Sequence, residues 1–141
     1  MPQLTEFVLH HIPLFAAFGF VLLLLAANEL HGMRSAGPRV NAVDAVRLIN
    51  DRNALVVDVR PAGDFRKAHL VNAVNLPLAQ LRQQIQVLAK ERERPVIIYC
   101  GFGNSSMEGA RVLRQNGFGE VYSLRGGLSG WMSNNLPVTS K

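Results

Sequence analysis

Two different hydrophobic patterns divide this chain. Ile12 to Ala27 holds no charged residue, and the apolar stretch reaches back to Phe7, interrupted only by His10, His11 and Pro13. No polar face recurs at helical spacing, as it would in a surface helix. About 20 apolar residues in a helix cross a bilayer core, so the pattern predicts one transmembrane helix over 12–27, with a start near 7 as the longer option. Pro13 falls close to that start, where a missing N–H matters least. His10 and His11 then lie near one interface as polar boundary residues.

After Arg39 the pattern breaks into short units. Asn41 stands as an N-cap before a helix over 42–50, with Val43, Val46, Leu48 and Ile49 as its buried positions. Leu55-Val56-Val57 is a short apolar strand that ends at Asp58-Val59-Arg60, and Pro61 and Gly63 break the chain after it. Ala73-Val74-Asn75-Leu76 is a second strand, and Pro77 opens a helix from Leu78 to about Lys90 with Leu81, Ile85 and Leu88 at helical spacing. Pro95 to Tyr99 is the most apolar strand and the expected centre of the sheet. A helix from Met107 to Asn116 follows, with Gly117 as its C-cap. Val121 to Leu124 is a further strand, and Gly126-Gly127 turns into a short helix that contains Trp131. Strands alternating with helices predict an α/β fold with a mainly parallel sheet flanked by helices.

Composition then bounds the function. The 141 residues accommodate one ordinary domain plus an extension. Lys and Arg outnumber Asp and Glu by 15 to 10, but the basic residues are dispersed and not interleaved with aromatics. That reads as solvated surface and juxtamembrane charge, and it argues against a nucleic-acid footprint. No Lys or Arg precedes Arg34, whereas Arg34, Arg39 and Arg47 follow the span. The positive-inside rule therefore predicts a single-pass protein of the inner membrane with its C-terminal domain in the cytoplasm. A secretory signal would want a basic start, which is lacking, although Ala26-Ala27 imitates a cleavage site. The expected organisation is a short segment over 1–11, the span over 12–27, a linker over 28–39 containing Gly32, Ser35, Gly37 and Pro38, and a domain over 40–141.

The candidate chemistry centres on Cys100, the single cysteine. It ends the central strand and opens the loop Cys100-Gly101-Phe102-Gly103-Asn104-Ser105-Ser106 ahead of a helix. That order aims successive N–H groups and the positive end of a helix at one point. A sulfur there is held as thiolate. Gly101 and Gly103 allow close backbone approach, Asn104 tolerates a left-handed turn, and Ser105 and Ser106 can cap the helix. Phe102 has no periodicity that demands burial and can wall the mouth of the site. Asp58 reads as the partner of Arg60, His69 as a hydrogen-bonded structural histidine, and Trp131 as packing for the last helix. No metal site or cofactor is called for.

These fragments, in this order, resemble the rhodanese (sulfurtransferase) family. The matching pieces are Val56-Val57-Asp58-Val59-Arg60, Asp64-Phe65, His69-Leu70, Ala73-Val74-Asn75-Leu76-Pro77, Val96 to Cys100, Gly103, Ser105-Ser106, Gly117-Phe118 and Leu124 to Leu128 with Trp131. With the N-terminal span, the chain is similar to the membrane-anchored single-domain bacterial type. The resemblance implies a rhodanese-like sheet and an enzyme. Cys100 would take the outer sulfur of a thiosulfate-like or persulfide donor, carry it as a persulfide, and pass it to cyanide, a thiol or a protein. Gly101, Phe102, Gly103, Asn104, Ser105 and Ser106 would contact the substrate. The chain departs from the family at Ala68 and Val71-Asn72, where Gly and Pro-Gly are common. Its loop also carries no Arg or Lys to hold an anion, so thiosulfate is expected to be a poor donor. Two alternatives come from other classes. One is a binding module that recruits a partner, such as a membrane protein, without needing the cysteine. The other is a phosphatase or arsenate reductase, whose Cys-x5-Arg pattern would put Arg where Ser106 stands.

Overall fold

The computed structural model describes residues 2–140. The chain divides into two compact units at about Ser35. In the first, α1 (Pro2–His10) and α2 (Ile12–Ala36) are separated at His11. The His11 ring bonds back to the Phe7 carbonyl at 2.8 Å. Ile12–Gly32 of α2 is apolar and long enough to cross a bilayer by length and composition. The helix runs on to Ala36, so most of the segment expected as linker is helical. Glu29, His31 and Arg34 end the apolar pattern without breaking the helix. Gly37, with φ +77°, supplies the break, and Pro38 follows.

The second unit is built on a parallel sheet. Its strands are β1 (Arg39–Val40), β2 (Leu55–Asp58), β4 (Val74–Asn75), β5 (Val96–Tyr99) and β6 (Val121–Leu124), in the order β1-β6-β5-β2-β4. Every pairing in this sheet is parallel, with Val57 opposite Ile98 and Ile97 opposite Tyr122. The expected central strand is indeed central, and all its side chains are buried. A small antiparallel pair joins β3 (His69–Leu70) to β7 (Val138–Thr139).

Alternation along the strands feeds two cores. Val57, Val96 and Ile98 face α5 (Leu78–Gln84), the 3-10 turns over Ile85–Glu91, and α6 (Ser105–Gln115), meeting Leu81, Ile85, Leu88, Ala110 and Leu113. Val56, Ile97, Tyr99 and Leu124 face α3 (Ala42–Arg52) and α7 (Gly127–Ser133), meeting Ala45, Leu128 and Trp131.

Several elements depart from expectation for local reasons. The helix predicted to reach about Lys90 tightens into 3-10 geometry after Gln84. In α3 the buried positions are Ala42 and Ala45, while Val43 is 55 % exposed. Small residues let this helix approach the sheet closely, and Val46, Leu48 and Ile49 pack at its flanks. Asn41 caps α3 as expected, its side chain accepting the Asp44 N–H at 2.8 Å. At the far end of α6, Gly117 takes φ +90° and the Phe118 N–H reaches the Leu113 carbonyl at 3.2 Å, closing that helix as expected. A short helix, α4 (Ala62–Lys67), occupies the stretch expected to be broken by Pro61 and Gly63. It buries no residue, so it leaves no apolar period in the sequence.

Candidate active site

Parallel strands present their carboxyl ends on one edge, and the chemistry collects there. β5 delivers Cys100 to that edge, and α6 starts at Ser105, so the connecting loop is only Cys100 to Asn104. The Gly103 N–H points at Cys100 Sγ at 3.0 Å. Burial alone pushes the thiol up. The Ser106 N–H and hydroxyl, with the N–H groups of Gly103 and Phe102, outweigh that and hold the Cys100 thiol below its ordinary range. The anionic form of the sulfur is thereby favoured relative to an ordinary thiol, and Cys100 lines a cavity.

Within the loop, the candidate residues separate into two groups. Gly101, Phe102, Asn104 and Ser105 line the cavity together with Cys100. Phe102 is 77 % exposed and stands at the rim. Gly103 and Ser106 are buried and act on the sulfur from inside the loop. The Ser106 side chain has no exposed surface, and its Oγ lies 2.7 Å from Ser123 Oγ and 3.2 Å from the Gly103 carbonyl. It ties the loop to β6 rather than capping α6. Ser105 is the first residue of α6, and Asn104, in the cap position, makes no side-chain cap bond. The capping expected of the two serines therefore does not occur. Gly103 takes φ +99°, and a Cβ there would come 3.1 Å from Gly126 N and 3.3 Å from the Arg39 guanidinium.

Sequence reasoning gave no role to the clamp behind the loop. The Leu128 N–H donates to the Cys100 carbonyl at 2.8 Å, and the Ser129 N–H donates to the Gly101 carbonyl at 3.0 Å. The first turn of α7 thus fixes the backbone that carries the sulfur. Gly127, at φ +55°, makes room for it: a Cβ there would sit 2.2 Å from the Cys100 carbonyl oxygen. The Gly126-Gly127 pair was the available signal. The opposite wall of the cavity comes from Val59 to Ala62 and Pro77 to Gln80.

Asp58, His69 and Trp131 are all structural. Asp58 is fully buried and takes Arg60 Nε at 3.1 Å and Nη2 at 2.7 Å, along with the Arg60 backbone N–H at 2.9 Å. Arg60 Nη2 also donates to the Ala68 carbonyl at 2.6 Å. His69 stacks on Phe65 with ring centres 3.7 Å apart, and its Nδ1 lies 2.6 Å from the Phe65 carbonyl. The Tyr99 hydroxyl accepts the Leu70 N–H at 3.1 Å; burial first, then its bond to Asp58, raises its pKa and keeps it neutral. Trp131 Nε1 donates to the Pro137 carbonyl at 3.0 Å and secures the chain entering β7.

Comparison with known proteins agrees with this architecture. A sequence model of the rhodanese-like domain matches residues 41–134. The uncharacterized protein YibN of Escherichia coli K12 is 32 % identical over 139 residues, covering 98 % of this chain and 97 % of its own. The thiosulfate sulfurtransferase GlpE of Coxiella burnetii is 33 % identical over 97 residues, covering 69 % of this chain and 89 % of its own. The crystal structure of a rhodanese-related protein from Thermoplasma volcanium superposes with a TM-score of 0.66 at 27 % identity, covering 74 % of this chain and all of that one. The α/β fold, the cysteine loop and these matches together make this chain a member of the rhodanese-like family.

Proposed function

We propose that this protein is a membrane-anchored sulfurtransferase that works through a persulfide on Cys100. The thiolate attacks the outer sulfur of a thiosulfate-like or persulfide donor. The bond between the outer sulfur and the rest of the donor breaks, and the electron pair departs with the leaving group, sulfite in the case of thiosulfate. Cyanide, a thiol or a protein nucleophile then attacks the outer sulfur of the Cys100 persulfide and regenerates the thiolate. The observation that carries this reading is the set of donors on the sulfur: the Gly103 N–H at 3.0 Å with the Ser106 and Phe102 groups around it. The same donors stabilise the charged persulfide after transfer. The similarity to a thiosulfate sulfurtransferase supports the reaction class. The phosphatase alternative lacks its arginine, because position 106 holds a buried serine. In this reading the apolar segment Ile12–Gly32 holds the protein in the inner membrane, with the catalytic domain on the cytoplasmic side.

Cys100→Ser tests the assignment. Serine keeps the size but supplies no anion at neutral pH, so thiosulfate:cyanide sulfur transfer is lost while the fold, followed by circular dichroism, is retained. Mass spectrometry of the wild type after incubation with a donor shows one added sulfur on Cys100. Retained turnover in the serine variant overturns the assignment of Cys100 as the sulfur carrier.

A further inference from the structure

The cavity above Cys100 is large and poor in charge, and this bears on what it takes. Its volume is about 610 Å³, far more than the handful of atoms in thiosulfate requires. Val59, Pro61, Pro77, Leu78, Ala79 and Phe102 give it apolar walls. Among the described residues the one cationic group lining it is Arg60, and that guanidinium is committed to both Asp58 oxygens and to the Ala68 carbonyl. Arg39 lies against Gly103, which does not line the cavity, and is itself absent from the lining. A dianion entering here would lose its hydration without meeting a free cation. An apolar body would cover walls that are otherwise in water.

We propose that the site is specific for a small sulfane-sulfur donor with an apolar organic body and at most one negative charge, such as an organic thiosulfonate or hydropersulfide. The proposal rests on the sulfurtransferase reading and names its substrate class. The reacting end sits over Cys100 in the cradle of N–H groups, and the organic group lies between Phe102 and the Pro77–Ala79 wall. With a thiosulfonate, Cys100 thiolate bonds to the terminal sulfur, the S–S bond breaks, and its electron pair leaves on the organic sulfinate. Cyanide then removes the sulfur as thiocyanate.

The test uses the full chain in mild detergent, with cyanide as acceptor and three donors: thiosulfate, methanethiosulfonate and benzenethiosulfonate. The two thiosulfonates share a reacting group and differ in their apolar body. The expected result is kcat/KM higher for the phenyl than for the methyl donor by about tenfold or more, since each buried carbon is worth a several-fold factor. Thiosulfate should be the weakest of the three. Phe102→Ala and Ala79→Asp, measured in the same detergent so that partition into micelles cancels, should collapse the phenyl-to-methyl ratio toward one. Both positions are exposed, so the fold is expected to survive. A ratio near one in the wild type, or a ratio unchanged in both variants, overturns the proposed specificity while leaving Cys100 persulfide chemistry standing. Failure to detect a Cys100 persulfide with any donor removes the sulfurtransferase reading and this inference with it.

Discussion

Ser106 carries more of the chemistry than its residue type announces. Read from the sequence, it was a helix cap or a group facing the substrate. Its side chain is fully buried against Ser123, while its N–H and hydroxyl act on Cys100. Sequence distance hid this, because Ser123 belongs to β6, the element after α6 and 17 residues further along the chain. Cys100 itself was legible, since a strand, a glycine-containing loop and a helix in succession leave few other places for a reactive group. The pH dependence follows from the direction of the shift. Burial opposes the thiolate, the Ser106, Gly103 and Phe102 donors favour it, and the donors win. Alkylation of Cys100 by iodoacetamide therefore rises with pH over a range below that of an ordinary thiol. Ser106→Ala removes the hydroxyl donor, so the rise moves to higher pH and the rate at neutral pH drops several-fold. An unchanged profile would show that the hydroxyl serves the β6 contact alone. Because the folded-state pKa is depressed, this group's contribution to stability is present above the unfolded-state value and fades as pH falls through the folded one.

At the level of elements, what could be read depended on whether an element buries a face. β5 and β6 announce themselves through their apolar runs, and α6 through Ala110, Val112 and Leu113, all of them buried. By contrast, α4 buries nothing, and β1, β3 and β7 are two residues each. Such pieces are specified by their partners: Arg39 and Val40 are strand because Ser123 and Leu124 lie beside them. The short α7 was expected for Trp131, yet its larger consequence is at its other end, where Leu128 and Ser129 hold the Cys100 and Gly101 carbonyls. Gly127→Ala tests that clamp. Its Cβ would overlap the Cys100 carbonyl oxygen, in a backbone conformation that L-residues avoid. The expected cost is about 2–4 kcal/mol, read from urea unfolding. Sulfur transfer should fall further than stability explains, because the displaced backbone is the one that aims the sulfur. Wild-type turnover per folded molecule would mean that the clamp is only structural.

For the whole molecule, the proposed anchor carries a prediction about which side of the membrane the thiol faces. The apolar helix Ile12–Gly32 suits a bilayer span, and α2 continues only to Ala36 before β1 begins at Arg39. Gly37 and Pro38 are the residues between these two elements. Residues 1–11 carry no Lys or Arg, whereas Arg34, Arg39 and Arg47 lie just past the span. Basic residues near a span resist translocation, which predicts a cytoplasmic domain. The single cysteine gives a direct readout. In intact cells, and in cells with only the outer membrane permeabilised, a membrane-impermeant maleimide should leave Cys100 unlabelled; opening the inner membrane should expose it. Cys100 is only 5 % exposed, so a parallel sample denatured before labelling defines the full signal. The protein should also stay with the membrane fraction through a carbonate wash. Labelling with only the outer membrane permeabilised would put the domain in the periplasm, and the arginine bias would then have failed to set the orientation. Release by carbonate would instead demote the helix from a span to a surface attachment.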